Sequence, residues 1–449
     1  MKRAFWVVLL FFLLSLPFRG CPPTIANIDD LMRPPKLSGE NSGIQEAFEL
    51  ATAGKTIQMK TPTTGSHRSS YVLYDIDGDG EEEVITFYSD ATDETAVYMH
   101  VLNFSDGRWQ SVADVKGKGT EVYKIDFCDM NADGISEIVV CWSLFESRGG
   151  KILTVYAPSF EEESQTVREL VSEPFTQSVI LDIDGDGTDE IFLAEISVSN
   201  DKTSTLGKVL SMDSDLGIYS MGIVELTPAV SILALQSQPA TKDSPAFVFL
   251  DSVINETTAI TDIIYWDKET FSLKAPLSET NRSAFSETAR SASLTSADID
   301  KDGQLEIPVT KTLDGAQTVS GEEVQPLELT TWLKFSNGAL SAEQRDLMIY
   351  SSSYMFSFSE TDAKNIAVVN DTAERICSFY KRNHAGERGS LLFEIVTVPS
   401  VEWERRQMED YTVLTTNHSL TYAYKITEQG TLEDIDDVFI ASRFSTLTA

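Results

Sequence analysis

The sequence predicts a mainly β chain: a β-propeller of five four-stranded blades, with six or seven as alternatives, and a small C-terminal α+β domain. Three observations predict it. Between residues 69 and 350, short apolar strands follow one another with turn residues between them. One acidic stretch recurs four times along that region. The strands fall into units of four in about 55 residues, and repeating such a unit radially leaves few open edges. A β-sandwich or β-solenoid is the structural alternative.

The recurring stretch reads YDIDGDGEEEVI from Tyr74 to Ile85, contains NADG between Asp129 and Glu137, and reads DIDGDGTDE from Asp182 to Glu190 and DIDKDGQLE from Asp298 to Glu306. Its first acidic positions are 54, 53 and 116 residues apart, and the last interval is two steps of 58. That spacing predicts a unit without the stretch near residue 240. The segment Ala246 to Trp266 supplies two strands around Asp251, which matches the first acidic position, while the other acidic positions and the glycine are absent.

A hard divalent cation takes six to eight oxygens at about 2.3–2.6 Å, and a tight turn supplies them from alternate residues. Positions one, three, five and nine give side-chain oxygens, and position seven gives a backbone carbonyl. The first loop offers Asp75, Asp77, Asp79, the Glu81 carbonyl and Glu83. The second offers Asp129, Asn131, Asp133, the Ile135 carbonyl and Glu137. The third offers Asp182, Asp184, Asp186, the Thr188 carbonyl and Glu190, and the fourth Asp298, Asp300, Asp302, the Gln304 carbonyl and Glu306. Glycine at position six permits a left-handed turn. Oxygen-only ligands favour calcium over zinc, and their number favours it over magnesium, so up to four Ca2+ sites are expected. An EF-hand needs a bidentate Glu at position twelve and flanking helices. Here the twelfth residues are Thr86, Val140, Leu193 and Val309, all in apolar strands.

These loops resemble the FG-GAP/VCBS repeats of integrin-alpha-type β-propellers, in which an acidic D-x-D-x-D-G-x-x-[DE] hairpin holds calcium between two strands of a blade. The resemblance covers residues 69 to 350. The whole layout is similar to clostridial-type VCBS-repeat lipoproteins, which also carry a stretch like RPPKLSGE after the anchor, here Arg33 to Glu40. The chain departs from the loop pattern at Asp251. The resemblance implies a binding or scaffolding role at the cell surface and no reaction.

Charge and the N-terminus set the remaining bounds. Against 35 Lys and Arg stand 70 Asp and Glu, a formal net of −35. Such a surface repels phosphate backbones and anionic lipid, so no nucleic-acid partner is expected. Four divalent ions would bring the net to −27. Lys2 and Arg3 precede an apolar run from Ala4 to Leu14, then Pro17 and Gly20-Cys21, which reads as an export signal over residues 1–21. The run is shorter than the about 20 residues of a membrane span. Gly20-Cys21 resembles a bacterial lipobox, with Phe18 where that family usually has leucine, and implies lipidation of Cys21. The expected location is a membrane-anchored lipoprotein on the extracytoplasmic face, with plain secretion as the alternative and the lipid as its one membrane contact.

Residues 22–68 read as a Pro-rich tether and a short helix from Ser42, whose Ile44, Ala47, Phe48 and Ala51 share one face. Past residue 351 the period disappears, and strands mixed with a helix from Ser400 suggest the small α+β domain of residues 351–449. Cys128, Cys141 and Cys377 are expected as buried thiols. His67, His100, His384 and His418 are scattered, and no nucleophile, phosphate-loop or zinc motif occurs. The sequence thus predicts no catalytic residue, and the leading reading is a non-catalytic calcium-binding surface protein for a protein or glycan ligand. A hydrolase or lyase acting on envelope polysaccharide or another surface polymer is the second reading, and a purely structural, calcium-stapled surface protein the third.

Overall fold

The computed structural model describes residues 42–447 except 145–149, 162–164, 243, 283–285, 292–293, 384–386, 404, 406–408 and 418. The export signal, Cys21 and the tether, with His384 and His418, lie outside the described residues. No helix among the described residues is long and apolar enough to cross a membrane.

The chain is mainly β. Helix α1 (Ser42–Ala51) is followed by β1 (Ile57–Lys60), β2 (Tyr71–Tyr74), β3 (Glu83–Asp90), β4 (Asp93–Ser105) and β5 (Arg108–Lys116), which form one antiparallel sheet. Strands β6 (Glu121–Cys128), β7 (Glu137–Ser143), β8 (Lys151–Ser159) and β9 (Thr166–Phe175) form a second, in chain order. A third consists of β10 (Gln177–Leu181), β11 (Glu190–Ser199), β12 (Lys202–Met212) and β13 (Ile218–Leu226). The fourth holds β14 (Ser231–Gln238), β15 (Phe247–Val253), β16 (Thr258–Asp267) and β17 (Ser272–Lys274), with the short β18 (Arg290–Ser291) beside β16 and helix α2 (Ser278–Asn281) between β17 and β18.

Two of these sheets hold the expected four strands and two hold five. Sequence pattern decides each strand's place in its sheet. The second strands, with runs such as EVITFY and EIVVCW, are buried nearly end to end, because a continuous apolar run needs cover on both faces. The last strands β5, β9 and β13 alternate polar and apolar residues and are largely exposed on one face. Helix α1 lays Ile44 and Phe48 onto Val84, Tyr88 and Leu102, as its spacing predicts, while Ala51 is exposed.

The fifth unit departs from expectation. Strands β19 (Glu306–Ser320), β20 (Glu323–Ser336) and β21 (Ala339–Ile349) do not form a separate sheet. They sit in the middle of a ten-stranded sheet with β22 (Tyr354–Ser357), β23 (Ile366–Asp371), β24 (Ile376–Arg382), β25 (Arg388–Pro399), β26 (Thr412–Thr416), β27 (Leu420–Ile426) and β28 (Phe444–Thr446). The far half of β19 pairs in parallel with β23, through Gln317–Val369 to Val319–Asp371, so the sheet runs unbroken across the boundary expected at residue 350. The sheet curls strongly. Tyr354 on β22 and Tyr422 on β27, near its opposite ends, bring their rings within 6.0 Å, and Phe444 on β28 lies 5.3 Å from Tyr422. The result is nearly a closed barrel around Phe356, Phe379 and Phe393. Helices α3 (Glu360–Asn365), α4 (Ser400–Trp403), α5 (Glu428–Leu432) and α6 (Asp437–Arg443) lie in its connections.

The described contacts divide into two compact units. One holds the residues up to Phe127 with Ile138–Glu169, the other Cys128–Glu137 with Leu170–Ala449. Cys128, Cys141 and Cys377 are buried and none is in a disulfide. Trp142, Trp266 and Trp332 are buried as well, while Trp109 and Trp403 are half-buried.

Candidate metal centres

The acidic loops join β2 to β3, β6 to β7 and β10 to β11, and the fourth leads into β19, each ending on a glutamate that opens the next strand. That glutamate is the ninth-position ligand expected from the sequence, and it is buried. Glu83, Glu137, Glu190 and Glu306 are each no more than 1% exposed. One oxygen of each accepts the backbone N–H of the loop's second residue: Ile76 at 2.8 Å, Met130 at 3.0 Å, Ile183 at 3.1 Å and Ile299 at 3.1 Å. The glutamate thereby folds back over the loop and closes it.

The remaining bonds repeat as faithfully. The first-position aspartate accepts from the sixth-position glycine N–H, in Gly80–Asp75, Gly134–Asp129, Gly187–Asp182 and Gly303–Asp298, at 3.0–3.2 Å. The fifth-position aspartate accepts from the seventh N–H, in Glu81–Asp79, Ile135–Asp133, Thr188–Asp186 and Gln304–Asp302, at 2.8–2.9 Å. These are side-chain turns that Asp supports well. The sixth glycines have φ between 85° and 96°, a region costly for any residue with a Cβ.

In three of the loops the fold brings carboxylates together. Asp75, Asp77 and Glu83 offer oxygens within 4.8 Å of one another, as do Asp182, Asp184 and Glu190, and Asp298, Asp300 and Asp302. The second loop has the same hydrogen bonds with Asn131 in the third position, where its Oδ1 accepts from Asp133 N at 3.1 Å. Asp75 Oδ1, Glu83 Oε1 and Glu306 Oε1 are buried without a hydrogen-bond partner. Burial pushes the carboxyls of Glu83, Glu137, Glu190 and Glu306 up to about 7, assisted by the neighbouring aspartates and opposed by the backbone N–H. Burial also raises Asp77 and Asp184. Convergent oxygens, unused lone pairs and mutual repulsion are the donor set that suits a metal ion, and these clusters can hold one.

Two positions were misjudged from sequence. Asp251 stands within β15, paired with Thr261, and not in a loop. The strand-pair registers show why. Glu83 pairs with Tyr74 and Glu190 with Leu181 across their loops, and Phe247 pairs with Gln238 in the same way. Phe247 therefore occupies the glutamate's place, and the missing loop falls between Gln238 and Phe247, close to the residue 240 that the interval predicts. Lys334 was missed altogether: its Nζ lies 2.6 Å from Asp302 Oδ2. It pulls the Asp302 carboxyl below its usual range. Only the strand register, which sets it opposite Glu306, reveals it, and no local signal in the sequence does.

No protein-family model matches this chain, and a search of curated proteins finds no match. Among solved structures, it is similar to rhamnogalacturonan lyase YesW at 12% identity and a TM-score of 0.29, over 73% of this chain and 72% of that one.

Proposed function

We propose that this chain is a non-catalytic, extracytoplasmic calcium-binding protein of the FG-GAP/VCBS β-propeller type, tethered through a lipid on Cys21, which presents its sheets to a protein or glycan ligand. The observation that carries the reading is the fourfold recurrence of one loop with identical hydrogen bonds, closed each time by a buried glutamate. A solvated acidic turn has no reason to bury its last carboxylate, whereas a cation site does. Asp75, Asp77, Asp79 and Glu83, with the Glu81 carbonyl, would hold the first ion, and the corresponding residues of the other loops the rest. When bound, calcium supplies the positive charge that offsets burial of these carboxylates and fastens one strand pair. Four antiparallel sheets of four or five strands support the propeller, and the apolar run ahead of Gly20-Cys21 supports export and anchoring.

Calcium titration of the metal-stripped protein, followed by thermal melting, tests this. The melting temperature rises with calcium, because a ligand that binds only the folded state stabilises it. Asp184→Ala and Glu190→Ala each reduce the rise. A melting temperature that calcium and chelator leave unmoved refutes the reading.

A further inference from the structure

We propose that Lys334 makes the fourth acidic loop the weakest of the calcium sites and a readily exchanging one, by holding an ammonium group against a carboxylate the ion needs. The inference rests on the calcium reading above and concerns how that one site is regulated.

Strand register isolates the feature. Glu306 lies directly opposite Lys334 in the β19–β20 pair. In the other units the pairs Val84–Leu102, Ile138–Tyr156 and Ile191–Leu210 are the next rungs, so Asn103, Ala157 and Ser211 stand at the place facing Glu83, Glu137 and Glu190. None of those three carries a charge. Lys334 does, and it reaches past its own rung to Asp302 Oδ2 at 2.6 Å. Asp302 belongs to the convergent group Asp298, Asp300 and Asp302, so the lysine holds one of that loop's candidate ligands. From the strand side, the wholly buried Glu306 has its Oε1 without a hydrogen-bond partner and marks the other wall of the same place. Lys268 also comes near a loop, but it stands over the Gly185 turn of the third loop and acts on Asp184 through space.

Calcium affinity follows the negative charge and rigidity of its ligand set. An ammonium group in contact with Asp302 cancels one ligand charge and repels an arriving dication. Calcium must therefore displace Nζ from Asp302, and the four-carbon stem lets the lysine leave for solvent. The loop opens β19, which runs from Glu306 to Ser320 into the ten-stranded sheet, so filling of this site is felt at the start of that strand.

The test is calorimetric calcium titration of the metal-stripped full chain. Wild-type protein is expected to show a weak phase that Asp298→Ala removes. Lys334→Met tightens that phase about tenfold, or ~1.4 kcal/mol, at unchanged stoichiometry. Lys334→Gln does the same and serves if the Met variant does not fold. Isotherms of both Lys334 variants that superimpose on wild type overturn the proposal while calcium binding itself stands. A phase tightened in Lys334→Met that Asp298→Ala leaves intact also overturns it, by placing the effect at another loop. Absence of calcium binding in every variant overturns the calcium reading instead.

Discussion

Asp251 Oδ1 accepts a 2.6 Å hydrogen bond from Arg290 Nη2, and neither side chain is exposed to solvent. Around this ion pair, Ser296 N and Oγ and Thr261 Oγ1 donate to the same carboxylate, while Arg290 also donates to Thr261 Oγ1 and to the carbonyls of Thr288 and Leu294. The unit that lacks an acidic loop thus has a positive charge of its own, supplied by the chain. The carboxylate thus accepts from Arg290, Thr261 and Ser296 while the guanidinium donates to four acceptors, the kind of pairing under which a buried ion pair is tolerated.

Removing one partner strands the other. Asp251→Asn is expected to cost about 3–5 kcal/mol of folding stability, whereas the double change Asp251→Leu with Arg290→Met costs much less. Urea unfolding of both measures this. A single variant within about 1 kcal/mol of wild type removes the claim that the pair is a structural fastener.

Glu190→Gln separates the two roles of the buried glutamate. The amide oxygen still accepts the Ile183 N–H, and the charge is gone. The metal-stripped variant should melt at or above the wild-type temperature, while its gain on adding calcium is smaller. A variant that melts lower without metal and gains fully with it contradicts the assignment.

Stability without metal should fall as pH rises. Glu83, Glu137, Glu190 and Glu306 have folded values raised from 4.5 to about 7. The folded chain therefore binds more protons than the unfolded one between these limits. Its advantage is complete below about pH 4.5 and is lost as pH climbs through about 7. With saturating calcium the slope flattens across the same window, because the ion-bound folded chain and the unfolded chain both hold ionised carboxylates there. Melting of metal-stripped and calcium-loaded protein at about pH 5 and about pH 7.5 shows both slopes.

Gly119 is fixed by space and not by dihedral freedom. A Cβ there would lie 2.3 Å from the Ser143 carbonyl oxygen, a backbone atom that also accepts the Thr120 N–H at 3.0 Å. Gly119→Ala should destabilise by about 1–3 kcal/mol, measurable by urea unfolding. An unchanged midpoint contradicts this close approach.

The acidic loops were legible because their chemistry is local. Every ligand position of a loop lies within nine residues, and the bonds that shape it join neighbours two to seven residues apart, so spacing alone carries the design. The strands around them were legible for the same reason: runs such as EVITFY and EIVVCW declare burial directly. What failed was long-range. Asp251 fits the first position of a loop by composition, and only pairing with β14 and β16 shows that Phe247 has the glutamate's place. Lys334 is 32 residues from Asp302, and nothing in its own neighbourhood announces the contact. The division at residue 350 also failed to foresee that the far half of β19 runs alongside β23.

That shared strand has a kinetic meaning. The ten-stranded sheet receives its last member in chain order, β28, only when Phe444–Thr446 reaches back to Tyr354–Phe356, across about ninety residues of chain. A chain that emerges N-terminus first must keep the edge of β22 unpaired through all the intervening synthesis or export. Open edges recruit strands from other molecules, and contacts so distant in sequence form slowly. Phe444–Thr446 therefore acts as a latch against misassembly, and a tag or proteolytic cut that disturbs it would show first as aggregation.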